Sequence, residues 1–484
     1  MPSFNRRSFL RSSLLLAGAS LAAAPLRSAQ SAPIGANGAI RIGVIGLNGK
    51  GRPHLKQLLA TSGVRVTALC DVDPAHLQAA VNDAGPGVFA TTDARRLLER
   101  SDVDAVVIAT GNHWHALLTV WACQAGKDVY VEKPVSRTIW EGRQMVKAAR
   151  RYGRVVQAGT QYRSETGLAE ARAFVASGAL GRIQYIHTVA HRPREPIGRT
   201  APWYPDGLDY DLFCGPAPMA PLTRTQLHYD WHWMWATGNG DLGNNGIHVI
   251  DVALAFAGHR APPRRVLSLG GRFAFGDAGE TPNTQLAVYD YADVPVFFEF
   301  RNLPAKPGVN FADQYRGQRT GVVVQCEGGY VSGLVGAAAY DRDGKRIQAF
   351  AGDGGKGHMD NFLAAVRSRR TADLAAPVDV SHVSTVLCHA GNLSYRTGAQ
   401  APWSAVAKAV EATGEGAALA ADLKRHVEVH GVDVERHPFT LGEWLTLDGD
   451  TVAGVGSGDP ARLAEARFLE KETQRPPYVI PETV

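Results

Sequence analysis

Cysteine is scarce. Cys70, Cys123, Cys214, Cys326 and Cys388 are the only five in 484 residues, odd in number and with no C-x-x-C pair. That excludes a disulfide framework and a thiolate zinc site, and reads as reduced core thiols. There is no H-E-x-x-H stretch, and His358, His382 and His389 are dispersed, so they read as structural and no metal is expected. Excess charge is missing too. The chain carries 51 Lys and Arg against 46 Asp and Glu, but Arg6, Arg7, Arg11 and Arg27 lie in residues 1–31, which hold no acid; the remainder has 47 against 46. A near-neutral body lacks the electrostatic footprint of a nucleic-acid binder. No basic run suits an anionic lipid surface, and no later apolar run reaches transmembrane length. Internal repeats and low-complexity tracts are also missing.

What is present starts with a targeting pattern. Asn5-Arg6-Arg7-Ser8-Phe9-Leu10 precedes the short apolar run Leu14–Ala24, a charged region followed by a hydrophobic one too short to span a bilayer. The Arg pair followed by Phe-Leu resembles a twin-arginine export signal over residues 1–31. This implies passage through the twin-arginine machinery to the periplasm or beyond; an ordinary secretory signal or an uncleaved anchor is the alternative.

Strand-like and helix-like runs then alternate. Ile40–Ile45, Val64–Cys70, Ala105–Ala109, Asp128–Val131 and Val155–Ala158 are apolar and β-rich, with helical patterns between them. Near-continuous apolar strands alternating with helices predict a parallel sheet covered on both faces, a Rossmann doubly wound domain over residues 39–160. A Pro- and Trp-rich connection covers residues 191–237. After it, Val266–Phe275, Gln285–Tyr291, Val294–Arg301, Gly321–Glu327 and Gly329–Leu334 are β runs separated by short turns. They predict an α+β second domain, residues 161–400, with a predominantly antiparallel open sheet. Helical patterns at 358–370 and 381–397 are placed to return to the first domain, and residues 401–484 read as a C-terminal extension.

The first strand runs into Gly46-Leu47-Asn48-Gly49-Lys50-Gly51, close to the G-x-G-x-x-G dinucleotide fingerprint with Asn48 at the middle glycine. Asn tolerates positive φ better than most residues, so the turn survives. Gly49 takes the close approach to a pyrophosphate, Gly51 permits tight strand–helix packing, and the helix N-terminus stabilises phosphate charge. The second strand ends at Asp71, 25 residues after Gly46. A carboxylate there accepts both ribose hydroxyls of NAD and repels the 2′-phosphate of NADP, so NAD is the expected cofactor and NADP the less favoured one. The alternative role for Asp71 is a helix cap, since Asp73-Pro74 follows.

Further on stand Thr110-Gly111-Asn112-His113-Trp114-His115, Glu132-Lys133-Pro134 and Asn244-Asn245-Gly246-Ile247-His248. With the Gly-rich loop, these resemble the glucose-fructose oxidoreductase / inositol dehydrogenase (Gfo/Idh/MocA) family over roughly residues 39–400. The resemblance implies that Lys133 touches the reacting hydroxyl and that Thr110, Asn112, His115, Glu132 and Gln161 line the cofactor site. An ammonium beside a carbinol oxygen stabilises developing negative charge, and a lysine of lowered pKa relays the proton. Relatives often carry Asp and His four residues apart. Here the pair is Asn244 and His248, so the imidazole is retained as the natural general base and the carboxylate is an amide that cannot carry a proton. Asp241 or Asp251 would have to substitute.

Gln161 and Arg163 follow the strand ending at Ala158 and are expected to face the cleft. His228-Tyr229-Asp230-Trp231-His232-Trp233 supplies flat aromatics such as Trp231 and His232, suited to the apolar faces of sugar rings; a hydrophobic plug between domains is the alternative. The functions to separate are an exported NAD-dependent sugar or polyol oxidoreductase, a glycoside-cleaving enzyme that retains NAD, and a non-catalytic sugar-binding protein. The open sheet face suggests a homo-oligomer by family analogy.

Overall fold

A computed structural model describes residues 38–484; the expected export signal lies outside them. The first sheet is built from β1 (Ile40–Ile45), β2 (Val64–Cys70), β3 (Phe89–Thr91), β4 (Ala105–Ile108), β5 (Asp128–Val131) and β6 (Val156–Ala158). All pairs are parallel and the order is β3-β2-β1-β4-β5-β6. The crossovers carry α1 (Gly51–Ala60), α2 (Pro74–Ala84), α3 (Ala94–Leu98), α4 (Asn112–Gln124) and α5 (Ile139–Arg151). Central strands covered on both faces are apolar on both: Ile42 and Val44 pack with Leu55 and Leu58 on one side, Ile45 and Val106 with Leu117 and Val120 on the other. This is the Rossmann domain expected from sequence. Strand β3 was not foreseen, because three residues give no periodicity to read.

Next come α6 (Thr166–Ala176), β7 (Ile183–His191), α7 (Tyr210–Cys214) and α8 (Ile247–Ala257), the last entered through a π-helical turn at Leu242–Gly246. The second sheet continues with β8 (Arg265–Gly271), β9 (Thr284–Asp290), β10 (Val296–Arg301), β11 (Thr320–Cys326), β12 (Gly329–Leu334), β13 (Gly336–Asp341) and β14 (Arg346–Phe350). Then follow α9 (His358–Ser368), α10 (Val378–Arg396), β15 (Ala399–Ala401), α11 (Trp403–Val410), α12 (Glu415–Val429), β16 (Phe439–Leu441), β17 (Leu445–Asp448), β18 (Thr451–Val455) and α13 (Pro460–Lys471). Its order is β14-β13-β12-β11-β7-β10-β9-β8-β16-β15, with β17 on β8 and β18 on β17. Every pairing is antiparallel except β7 with β10.

The boundary expected at residue 400 does not divide the structure. Strands β16 to β18 complete the second sheet, and Tyr478, Ile480 and Val484 are buried in the first domain's core. Helices α11 and α12 lay Val406, Leu419 and Leu423 on Leu267, Leu286 and Phe297 of β8–β10. An uncovered sheet face, the premise for an oligomer, therefore does not hold over those strands. On the opposite face α6, α8 and α10 pack against Ile186, Phe298 and Val322. Helix α9 returns to the first domain, where Met359, Phe362 and Val366 join its core. All five cysteines are buried and unbonded. No helix among the described residues is long and apolar enough to cross a membrane.

Candidate functional site

A cavity of about 860 Å³ runs along the C-terminal ends of the first sheet's strands, from the Gly-rich loop to the second domain. Asn48, Gly49, Asp71, Thr110, Asn112, His115, Glu132, Lys133, Gln161, Trp231, His232, Asn244 and His248 all line it, as does Gly46. Gly51 lies just behind, at the first turn of α1.

The loop is built for close approach. A Cβ on Gly46, at φ +86°, would fall 2.5 Å from the Ala109 carbonyl oxygen, and one on Gly51 would fall 1.8 Å from that of Gly46. Positive φ falls at Gly46 and Gly49, so the conformational tolerance expected of Asn48 is not used. Asn48 instead accepts the Gly49 N–H at 2.8 Å through Oδ1. Helix α1 has no side-chain cap at its N-terminus; its Gly51 N–H donates to the Asn48 carbonyl at 2.9 Å and Pro53 has none, which leaves the Arg52 N–H of the first turn for an anion. At the end of β2, Asp71 accepts the Leu47 N–H through Oδ2 at 2.7 Å and the Asp73 N–H through Oδ1 at 2.9 Å. Burial pushes its pKa up, against the pull of those two N–H groups. The helix cap is Asp73, which accepts from Ala75, so Asp71 keeps lone pairs for a ligand. A glycine cradle, an uncapped helix start and a free-edged carboxylate 25 residues on fit a dinucleotide.

Between loop and second domain stand Glu132 and Lys133, at the end of β5. Burial acts to raise the Glu132 carboxyl, but the His54 hydrogen bond at 2.7 Å and the positive charges of His54 and Lys133 prevail, holding it at about 2. Lys133 Nζ donates to the Asn244 carbonyl oxygen at 2.7 Å and to its Oδ1 at 3.0 Å. Burial brings the ammonium down to about 8, with the Glu132 charge opposing. The π turn presents that backbone carbonyl, a placement common at functional sites.

His248 faces Tyr162 edge-on at 5.3 Å and its Nδ1 has no partner. Burial first, and then the positive charges of Lys133 and Lys50, lower it to about 3, so the ring is neutral. Trp231 stacks on His232 at 3.7 Å between ring centres. The Tyr229 carbonyl lies 2.5 Å from Nδ1 of His232, and burial lowers that ring to about 3.

Several expected residues sit differently. Arg163 does not face the cleft: its guanidinium pairs with Asp251 at 2.7 and 2.9 Å. Asp251 is thereby engaged, with Ser384 donating to it as well, and cannot replace the missing proton carrier. Asp241 cannot either, since the Arg194 fork grips it at 2.7 Å twice and its carboxyl, despite burial, lies at about 2. His115 is 1% exposed, and its Nδ1 and Nε2 lie 2.7 Å and 3.1 Å from the Pro134 and Thr110 carbonyls, so it braces the wall. Asn112 donates across to Asn239 at 3.0 Å and ties α4 to the second domain.

Sequence reasoning passed over Tyr162, Arg192 and Asn245, which also line the cavity. The end of β7 and the π turn bring Arg192 and Asn245 there, and the 3-10 turn at Gln161–Ser164 brings Tyr162. Asp73, His76 and His228 gather three possible metal ligands within 4.8 Å. Asp73 and His228 are 2.9 Å apart, a hydrogen bond that latches the connection to the loop after β2.

Residues 40–160 match the sequence model of the Gfo/Idh/MocA family, described as an oxidoreductase family with an NAD-binding Rossmann fold. An inositol 2-dehydrogenase of Salmonella paratyphi B is 31% identical over 150 residues, 31% of this chain and 45% of that protein. A glycosyl hydrolase family 109 protein of a Shewanella species is 35% identical over 163 residues, 29% of this chain and 36% of that protein. The chain thus spans less than half the length of these curated relatives. A solved levoglucosan dehydrogenase, in complex with NADH and levoglucosan, shares the fold with TM-score 0.54 at 16% identity, over 73% of this chain and 96% of that one.

Proposed function

We propose that this chain, whose residues 40–160 are an NAD-binding domain of the Gfo/Idh/MocA oxidoreductase family, is an NAD-dependent oxidoreductase acting on a secondary hydroxyl of a sugar or sugar derivative. One observation carries this reading: Lys133 Nζ, fixed by Asn244 at 2.7 Å, stands in the same cavity as the Gly46–Gly51 loop. Bound NAD would supply the hydride acceptor and donor. The loop and the start of α1 would hold its pyrophosphate, and Asp71 its adenosine ribose, whose carboxylate favours NAD over NADP.

The remaining chemistry belongs to the chain. As an ammonium, Lys133 stabilises charge growing on the reacting oxygen; as an amine, which it becomes near pH 8, it takes the hydroxyl proton. Asn244 fixes the amine. His248, neutral down to about pH 3, is a weak base, and its ring lines the cavity as a hydrogen-bonding group for a neighbouring hydroxyl. The proton relay expected of His248 therefore passes to Lys133. Trp231 and Tyr162 offer flat faces to the ring.

We further infer export and a retained cofactor. The Arg6-Arg7 pattern supports a route that carries folded proteins. Outside the cytoplasm no pool of free NAD is expected, which favours reactions that regenerate the cofactor within one cycle. A second reading, NAD-dependent glycoside cleavage by oxidation, elimination, hydration and reduction, is favoured by the similarity to a family 109 protein and by Asn244 where a carboxylate would carry a proton. A sugar-binding protein without catalysis would have no use for a lysine of lowered pKa at this point.

The test is direct. Purified protein is denatured and its nicotinamide quantified; a substantial fraction of sites is expected to be filled without added cofactor. Sugars and glycosides are then screened for NADH and for product. Stoichiometric NADH supports net dehydrogenation, and cleavage without net NADH supports the second reading. Cofactor-free protein that binds NAD weakly defeats retention, and ligand binding with no turnover of either kind defeats catalysis.

A further inference from the structure

Arg192 follows β7 directly, and its backbone is fixed by the end of β10: its N–H donates to the Arg301 carbonyl at 2.8 Å, and Asn302 donates to its carbonyl at 3.1 Å. Arg192 is an exposed residue at the wall of the cavity. Its contact there is an Nη1 donation to Asn245 Oδ1 at 3.4 Å, and no carboxylate pairs with it among the described residues. Two residues on, Arg194 is gripped by Asp241, so the same stretch carries one neutralised arginine and one that is free.

The acids on the cavity wall do not serve Arg192. Asp71 takes two backbone N–H groups beside the loop, Asp93 holds Arg95, and Glu132 holds His54. Nor does the cofactor's pyrophosphate, which the glycine cradle and the start of α1 would hold at the other end. One turn organises the cationic end. Asn244 accepts Lys133, and the adjacent Asn245, tied to Asp241 through its Nδ2, turns its Oδ1 to Arg192. The amine that meets the reacting hydroxyl and a guanidinium with no counter-ion are thus held by consecutive side chains.

We propose that Arg192 is a specificity residue that binds an oxyanion on the substrate, a carboxylate or a phosphate ester, so that the sugar derivative is an acidic one. This rests on the oxidoreductase reading of the same cavity. The guanidinium fork matches either group with two parallel N–H bonds. Acidic sugars are thereby selected over neutral ones of the same ring.

The experiment measures binding and turnover separately. NAD-saturated protein is titrated with glucose, glucuronate and glucose 6-phosphate, following tryptophan fluorescence, since Trp231 lines the cavity. The wild type is expected to prefer at least one of the two acidic sugars, and which one identifies the anion. Arg192→Gln is expected to lower that preference roughly 10- to 100-fold, and Arg192→Lys to restore part of it. Equal affinity for acidic and neutral sugars, no binding of any of the three, or a preference that persists in Arg192→Gln overturns the proposal. Lys133→Met is run alongside for turnover. Activity surviving that change defeats the catalytic reading, while the anion preference is still judged on binding.

Discussion

Lys133 Nζ donates to both the main-chain and the side-chain oxygen of Asn244, at 2.7 and 3.0 Å. An aspartate at residue 244 would pair with the ammonium and raise its pKa. An amide fixes its position and leaves burial to lower it, so asparagine here leaves more of Lys133 as the free amine at a given pH.

Lys133→Met is therefore expected to lower turnover by roughly 10²- to 10⁴-fold, the usual range for an acid–base group, with NAD affinity changed only a few-fold. In the wild type, kcat/KM for alcohol oxidation should rise with pH through about 8, as the amine forms. Near-wild-type turnover in the variant removes Lys133 from the mechanism.

The same shift makes a stability prediction. The folded-state pKa lies below the unfolded one, so between about pH 8 and the ordinary lysine range the unfolded chain binds more protons and stability rises with pH. Lys133→Met has no such slope. Its Tm should exceed the wild-type value near neutrality, and the gap should narrow as pH rises past 8. Parallel Tm profiles would show that Lys133 is not held below its ordinary pKa.

Asp71→Asn retains an acceptor for the Leu47 N–H but loses the charge that meets a ribose diol and repels a phosphate. It should weaken NAD by about 1–3 kcal/mol and NADP by less. Titrations showing equal losses for both cofactors would refute the ribose assignment.

Gly51→Ala and Gly49→Ala form a contrasting pair. A Cβ at Gly51 meets backbone at 1.8 Å, whereas one at Gly49 meets nothing within 4 Å and faces only the strain of φ +47°. The second should cost about 1–2 kcal/mol in denaturant unfolding. The first should displace the loop, cost the roughly 1–3 kcal/mol of stability typical of overpacking, and weaken NAD by more than about tenfold. Equal NAD affinities in the two variants would contradict the cradle.

Arg163→Ala leaves the Asp251 carboxylate buried with Ser384 as its remaining partner. Loss of one member of a buried pair typically costs about 3–5 kcal/mol. The loss should appear in unfolding midpoints and not as a selective change in substrate KM. A selective KM effect with unchanged stability would return Arg163 to the cleft.

The sequence by itself determined those features whose physics is local. Strand β1 is apolar because both its faces are covered. Gly46 and Gly51 are glycines because backbone passes where a Cβ would be, and Asp71 stands at a strand end that spacing locates. Lys133 stood out because Glu132-Lys133-Pro134 resembles the Gfo/Idh/MocA motif and ends a strand, where such sheets bind ligands. Only the tertiary structure decided what depends on partners far along the chain. Strand β7, with His187, Thr188 and His191 along it, gives no clean alternation, yet β10 and β11 pair it into the middle of the second sheet. Arg163 and Arg192 look alike in sequence. Asp251, 88 residues from the first, takes it out of the cavity, whereas Arg192 meets only an amide. Whether a charge is spent on a neighbour or left for a ligand is set by which side chains the fold brings within a few ångströms, and spacing along the chain does not encode that distance.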